Sequence, residues 1–132
     1  MNTKKIITAG ATGLVVATIA NVITFYAGKA AGFFPEELVI PNAGQPLTVV
    51  PVIISSIITA IGATVLFLLL NKFLAQNASR IFTIVAVLFL VVSFAGPFSI
   101  PNAPTAMIVG LNLMHVWSGI ALTYFLTVKG KE

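Results

Sequence analysis

Cysteine is absent from this chain of 132 residues, and charge is scarce, with seven lysines and arginines and three acidic residues. Without cysteine the chain can form no disulfide, no thiolate metal site and no thiol redox centre. Charged residues make up 8% of the sequence and hydrophobic residues 58%, whereas ordinary soluble domains are roughly 25% charged. So few charges could not cover the surface of a soluble protein. The composition therefore predicts a protein whose surface faces lipid.

The basic residues form no patch of the kind that binds nucleic acid, because the seven are spread along the chain. Nucleic acid is therefore not an expected partner. The expected partners are the lipid bilayer and, within it, another membrane protein or further copies of the chain.

Four long apolar runs dominate the sequence. About 20 helical residues cross the ~30 Å hydrocarbon layer, and a helix satisfies its own backbone hydrogen bonds in lipid. The runs lack the alternation that is typical of membrane β-strands. They predict an all-α integral membrane four-helix bundle, one transmembrane domain over residues 1–132. The predicted spans are residues 6–27, 47–70, 81–97 and 105–128, with an outer loop over residues 28–46.

The positions of the basic residues predict the orientation. Six of them fall on one side of a four-span chain: Lys4, Lys5, Lys72, Arg80, Lys129 and Lys131. The opposite side has only Lys29, beside Glu36 and Glu37. The positive-inside rule then puts both termini in the cytoplasm of a cell (inner or plasma) membrane. A cleaved signal peptide is the alternative for the first run, but that run exceeds the 7–15 residues of a typical signal core.

The outer loop contains apolar pieces, two glutamates and an Asn42-Ala43-Gly44 sequence between prolines. Asn and Gly in this setting predict a turn before the second helix. We expect the apolar pieces to lie at the headgroup level as a cap. The alternative is a lid over a site.

Uncharged polar residues carry the functional information inside the spans. Counted along the helices from their outer ends, they lie in the outer half of the bilayer. A compact bundle would bring them together as a polar pocket or as hydrogen bonds between helices, beside a small-residue stripe that ends at Asn21. The candidate pocket residues are Asn21, Ser55, Thr59, Ser93, Asn112 and His115.

His115 is the single histidine and is expected near the midplane of the bilayer, where ionisable groups are rare and costly. A neutral histidine can tie helices together with one donor and one acceptor, or it can relay protons or contact a ligand. Ser118 follows on the same helix, but no acidic partner is available to orient the imidazole as in a catalytic triad. We therefore predict no catalytic residue, no metal site, no cofactor and no enzyme activity.

Three segments resemble a family of uncharacterised small four-span bacterial membrane proteins. They are Pro51-Val52-Ile53-Ile54-Ser55-Ser56, Ser93-Phe94-Ala95-Gly96-Pro97 and Leu111-Asn112-Leu113-Met114-His115. In that family a Ser…Gly-Pro element closes the third helix and a Leu-Met-His element lies in the fourth. The resemblance implies the fold and a bacterial membrane, and it implies no activity.

Two functions follow as hypotheses. The first is a structural or accessory membrane protein that associates with partners within the bilayer. The alternative is a small-molecule or proton-handling membrane protein with an outward-facing polar pocket around His115.

Overall fold

The computed structural model describes residues 2–131, and these fold into four long helices. They are α1 (Thr3–Ala30), α2 (Val49–Phe73), α3 (Ala78–Ser93), which continues as the short α4 (Ala95–Phe98), and α5 (Thr105–Tyr124), which ends in a π-helical turn (Phe125–Lys129). All four are long and apolar enough to cross a membrane. The predicted all-α fold with four such helices is confirmed. Most ends lie within three residues of the predicted runs, because polar residues extend the helices beyond the apolar segments.

The helices run antiparallel in chain order, so the molecule has two ends. We call the end with the chain termini and the α2–α3 connection the terminal end. The other end, with residues 31–48 and 99–104, is the loop end. The two ends have separate apolar clusters.

α1 is the helix against which α2 and α5 both pack. Its small residues permit this close approach. Gly10 lies against the side chain of Thr64 on α2, and a Cβ at Gly13 would lie 3.1 Å from Leu122 Cδ2 on α5. Ala17 and Asn21 continue the buried stripe toward the loop end.

The third span is interrupted just before Pro97. α3 stops at Ser93 and α4 starts at Ala95. Proline has no N–H to give to the carbonyl four residues earlier, here that of Ser93, and its ring crowds that carbonyl. The regular hydrogen-bond pattern is therefore interrupted at Phe94, although its φ of −62° and ψ of −24° remain helical.

α3 is packed firmly only near the terminal end, where Ala78 and Phe82 are buried. Phe82 meets Phe67 of α2 edge to face, with ring centroids 5.2 Å apart. Further along, Leu90 lies beside Gly119 of α5, while most of α3 stays exposed. The predicted four-helix bundle is therefore present, with a gap between α2 and α3 toward the loop end.

The loop between α1 and α2 closes the loop end as a packed cap. Phe34 is 6% exposed, lies against Gly28 and Gly110 and stacks on Phe25 with ring centroids 5.5 Å apart. The predicted turn is present: a bridge joins Ile40 to Gln45, and Gly44 adopts the positive φ of +65° that glycine tolerates.

Candidate functional site

A cavity of about 690 Å³ lies between α2, α3 and α5, with one residue of α1 at its base. This volume is within the range of small-molecule sites, about 300–1,000 Å³. Its polar lining residues are Asn21, Ser55, Ser56, Thr59, Ser93, His115, Ser118 and Thr123. None of the described lining residues carries a formal charge when His115 is neutral.

Asn21 connects three helices at the base of the cavity. Its Nδ2 donates to Ser56 Oγ of α2 at 3.0 Å and to Ser118 Oγ of α5 at 2.9 Å. Asn21 is only 4% exposed. These bonds therefore form in an environment with little competing water, where a broken pair would leave buried polar atoms unsatisfied.

The orientation of the Asn21 amide follows from its neighbour. Ser56 Oγ donates its proton to the carbonyl of Val52 at 2.8 Å, so the Ser56 oxygen has only acceptor capacity left. The amide must present its NH₂ group there, and Asn21 Oδ1 points away from both serines. Oδ1 is buried and has no hydrogen-bond partner among residues 2–131.

Ser55 and Thr59 lie one turn apart on α2, and both are exposed on the cavity wall. Ser55 Oγ donates to the Val52 carbonyl at 3.2 Å. Ser93 faces them from α3, half-buried, and its Oγ donates to the carbonyl of Leu90 at 2.7 Å. Such bonds within a helix satisfy the hydroxyl proton and leave the oxygen as an acceptor.

His115 reaches the cavity from α5, within a stripe of lining residues at steps of three and four along the helix. Its side chain is exposed, and it forms no hydrogen bond with other described residues. No acidic residue lines the cavity, and residues 2–131 contain no cluster of His and acidic side chains able to hold a metal. The imidazole can therefore donate or accept a hydrogen bond, but it has no partner for nucleophilic chemistry.

Five of the six predicted pocket residues line this one cavity: Asn21, Ser55, Thr59, Ser93 and His115. Asn112 does not, which corrects its placement in the predicted pocket. It lies about 100° around α5 from Leu111, at the edge of the face that lines the cavity. Its Oδ1 is buried without a hydrogen-bond partner in the described chain.

A family model covers residues 1–131. The chain belongs to DUF6069, a family of unknown function. The predicted membership of an uncharacterised family is thereby confirmed. No curated protein and no solved structure matches the chain.

Two partners of Asn21 in the DUF6069 chain, Ser56 and Ser118, were missing from the predicted pocket. Ser56 belongs to a ladder of small residues on α2, and Ser118 lies three positions after His115 on the same face of α5. Those spacings were visible in the sequence. They do not say which of two adjacent serines, Ser55 or Ser56, turns toward α1.

Most polar lining residues form a band across the cavity, with apolar residues on both sides of it. Toward the loop end the lining residues are Leu47, Pro51 and Leu111. Toward the terminal end the wall of α2 continues through Gly62 to Leu66. An occupant that fits this lining is largely apolar and has a polar group at the level of the band.

Proposed function

We propose that this DUF6069 protein binds an uncharged small molecule within the membrane, in the cavity between α2, α3 and α5. One observation carries the proposal: polar side chains from four separate helices meet in a single cavity of about 690 Å³ whose other walls are apolar. Polar groups inside a membrane are costly, and they commonly mark a functional path or site.

Binding fits the chemistry of the cavity better than catalysis. The described lining residues offer hydroxyls, one amide and one imidazole, and they include no carboxylate, thiol, amine or guanidinium group. These groups can orient a ligand through hydrogen bonds. They do not form the pair of a nucleophile and an oriented base that an enzyme would need.

The geometry supports entry from the lipid. α2 and α3 meet through Phe67 and Phe82 near the terminal end, and the exposed lining residues Thr59, Gly62 and Phe89 flank the space between them. The cap at the loop end is occupied by buried Phe34. A ligand dissolved in the bilayer would pass between α2 and α3.

The setting that we propose is a bacterial cell membrane with both termini in the cytoplasm. The basic residues at the terminal end support this orientation. Most polar lining residues of the cavity then lie in the outer half of the bilayer, and the apolar wall from Gly62 to Leu66 lies toward the inner half.

The test is to extract the protein gently from its own membrane and to identify retained small molecules by mass spectrometry. Gly62→Leu would place a branched side chain on the cavity wall, where a Cβ has no atom within 4 Å. Ala11→Leu adds a similar side chain to the exposed surface of α1 and is the matched control. Loss of the molecule from Gly62→Leu alone supports the proposal, and equal retention by both variants contradicts it.

The exposed surface of α3 favours a second candidate, an accessory role with a partner inside the bilayer. Val87, Leu88 and Val91 are largely exposed, and Gly62 leaves open space on α2. A helix of another membrane protein, or of a second copy, would pack well on such a surface. The native mass of the extracted protein distinguishes the two candidates. A larger assembly with an identified membrane subunit favours the accessory role over ligand binding.

A further inference from the structure

We infer that a groove at the terminal end binds an anionic phospholipid, with the phosphodiester at its basic mouth and an acyl chain along its apolar wall. The groove has a volume of about 500 Å³ and lies between the start of α1 and the π-helical turn after α5. Among the described residues it shares none with the lining of the cavity between α2, α3 and α5. The inference therefore goes beyond the proposed ligand of that cavity and does not depend on it.

Three lysines surround the mouth of the groove. Lys4 and Lys5 belong to the first turn of α1, and Lys129 is the last residue of the π-helical turn. All three residues are exposed, and no acidic residue between positions 2 and 131 lines the groove. Lys5 and Lys129 also have interactions within the protein, so what attracts an anion is their charge and position rather than a vacant bond. A lysine ammonium binds phosphate as a point charge.

Asn2 adds a neutral donor beside these lysines. Its Oδ1 accepts a hydrogen bond from the backbone N–H of Lys4 at 2.8 Å and so caps α1. The other group of the amide, Nδ2, can donate to a phosphate oxygen. The hydroxyl of Thr8 donates to the carbonyl of Lys4 at 2.9 Å, so its oxygen has only acceptor capacity left. The donors for an anion are thus the ammonium groups and the Asn2 amide, all at the mouth.

The wall of the groove carries no charge below the mouth. Thr12 lies eight residues after Lys4, or roughly 12 Å further along α1, and its hydroxyl proton is bonded within the helix. Ala9 is buried on the α1 side, and Phe125 lines the opposite side. A Cβ on Gly13 would lie 3.5 Å from Phe125 Cβ, so the two walls come into contact just below the groove. This deeper part suits hydrocarbon and offers nothing to a second anion.

The groove lies at the membrane interface. Lys4 and Lys5 directly precede the first apolar run of the sequence, and Lys129 directly follows the last one. The lysines are therefore at the level of the lipid headgroups, while Thr12 and Phe125 are within the hydrocarbon. Basic pockets between membrane helices at this level bind anionic headgroups, and π-helical turns frequently occur at functional sites. A free phosphate ion would leave the apolar wall uncovered, so the occupant is a lipid.

A specific site differs from a general attraction between basic residues and an anionic membrane. Lys72 and Arg80 lie at the same end of the molecule but do not line the groove. General attraction depends on the total charge of this end, whereas a site depends on the lysines that line it. Lys4→Gln combined with Lys129→Gln therefore has a matched control in Lys72→Gln combined with Arg80→Gln, since each pair removes two positive charges.

The probes are phosphatidylglycerol and phosphatidylcholine with the same two acyl chains. Their binding to the full-length protein in neutral detergent is measured by native mass spectrometry. We expect phosphatidylglycerol to bind about tenfold more tightly than phosphatidylcholine. The Lys4 and Lys129 pair should lower this preference to about twofold, and the control pair should keep it. No preference in the parent protein, or an equal loss of preference in both pairs, would overturn the inference.

A second pair of variants does not depend on lysine substitution. Thr12→Leu narrows the apolar part of the groove, and Thr83→Leu makes the same change on the exposed surface of α3, where the hydroxyl also bonds within its helix. Only Thr12→Leu should weaken the binding of phosphatidylglycerol severalfold. Equal binding by both variants would contradict an acyl chain in the groove. Displacement of the bound lipid by inorganic phosphate would show that the groove binds the free ion, and this would also overturn the inference while leaving the proposed function standing.

Discussion

Asn21 Nδ2 donates to Ser118 Oγ at 2.9 Å across 97 positions of sequence, and this bond joins α1 to α5 at the base of the cavity. The same nitrogen reaches Ser56 on α2. One amide therefore joins α1 to α2 and α5, which are two of the three helices that form the cavity walls, and the same residue serves the packing and the proposed site.

Replacing Asn21 should destabilise the bundle. Asn21→Leu removes both interhelical bonds and leaves two buried serines without their donor. Hydrogen bonds between membrane helices contribute on average about 0.6 kcal/mol, with a maximum near 1.7, so we expect a loss of about 1–3 kcal/mol. Unfolding in mixed micelles measures the change in the free energy of unfolding.

A double-mutant cycle of Asn21→Ala with Ser118→Ala should give a coupling free energy of about 1 kcal/mol. Additive effects of the two substitutions would show that the bond contributes nothing to stability.

Two glycines provide a matched pair for helix packing. Gly10→Ala puts a methyl group into the side chain of Thr64, and Gly62→Ala puts one into open space. Gly10→Ala should therefore lower stability by about 1–3 kcal/mol through overpacking. Gly62→Ala should be neutral or slightly stabilising, because alanine favours helix by about 1 kcal/mol over glycine in soluble hosts. Thermal unfolding in detergent compares the two, and similar effects would contradict the asymmetric packing of the bundle.

The fold could be predicted because lipid limits a spanning segment to few structures, whereas the cavity depends on side-chain contacts that the sequence pattern does not specify. Run length and the need to satisfy the backbone predict helices, and the small-residue stripe through Gly13 predicts the close face of α1. Whether Ser55 or Ser56 bonds to Asn21 depends on the rotation of α2 about its own axis, and a difference of some tens of degrees decides it. The gap between α2 and α3 depends on side-chain packing, and helices that are apolar on nearly every face do not indicate which faces will pack together.

Phe34 should stabilise the loop end. Its ring fills the space between Gly28 and Gly110 and stacks on Phe25. Phe→Ala in a well-packed core costs about 3–5 kcal/mol, so Phe34→Ala should lower stability by an amount of that order. Phe98→Ala is the control, since Phe98 is 67% exposed and its truncation should change stability little. Comparable unfolding of the two variants would show that the loop does not cap the bundle.

Trp117 and Thr24 form a second link between α1 and α5, with Nε1 donating to Oγ1 at 3.1 Å. The Thr24 proton goes to the carbonyl of Ala20, so Thr24 is the acceptor in this pair. Thr24→Val should cost about 0.5–1.5 kcal/mol and shift the emission of the single tryptophan. Thr83→Val, whose hydroxyl bonds only within α3, should do neither. An unchanged emission spectrum in Thr24→Val would contradict the bond.

Replacing His115 distinguishes a structural role of this side chain from a functional one. It is exposed in the cavity and bonds to no other described residue, so His115→Ala should leave the yield and stability of folded protein within about 0.5 kcal/mol of the parent. If the cavity binds a ligand through its polar band, the same variant should weaken that binding at least severalfold. Both quantities come from one preparation, by thermal unfolding and by native mass spectrometry with the retained molecule. If His115→Ala lowers the amount of folded protein and the amount of bound ligand in parallel, His115 has a packing role and does not belong to the proposed site.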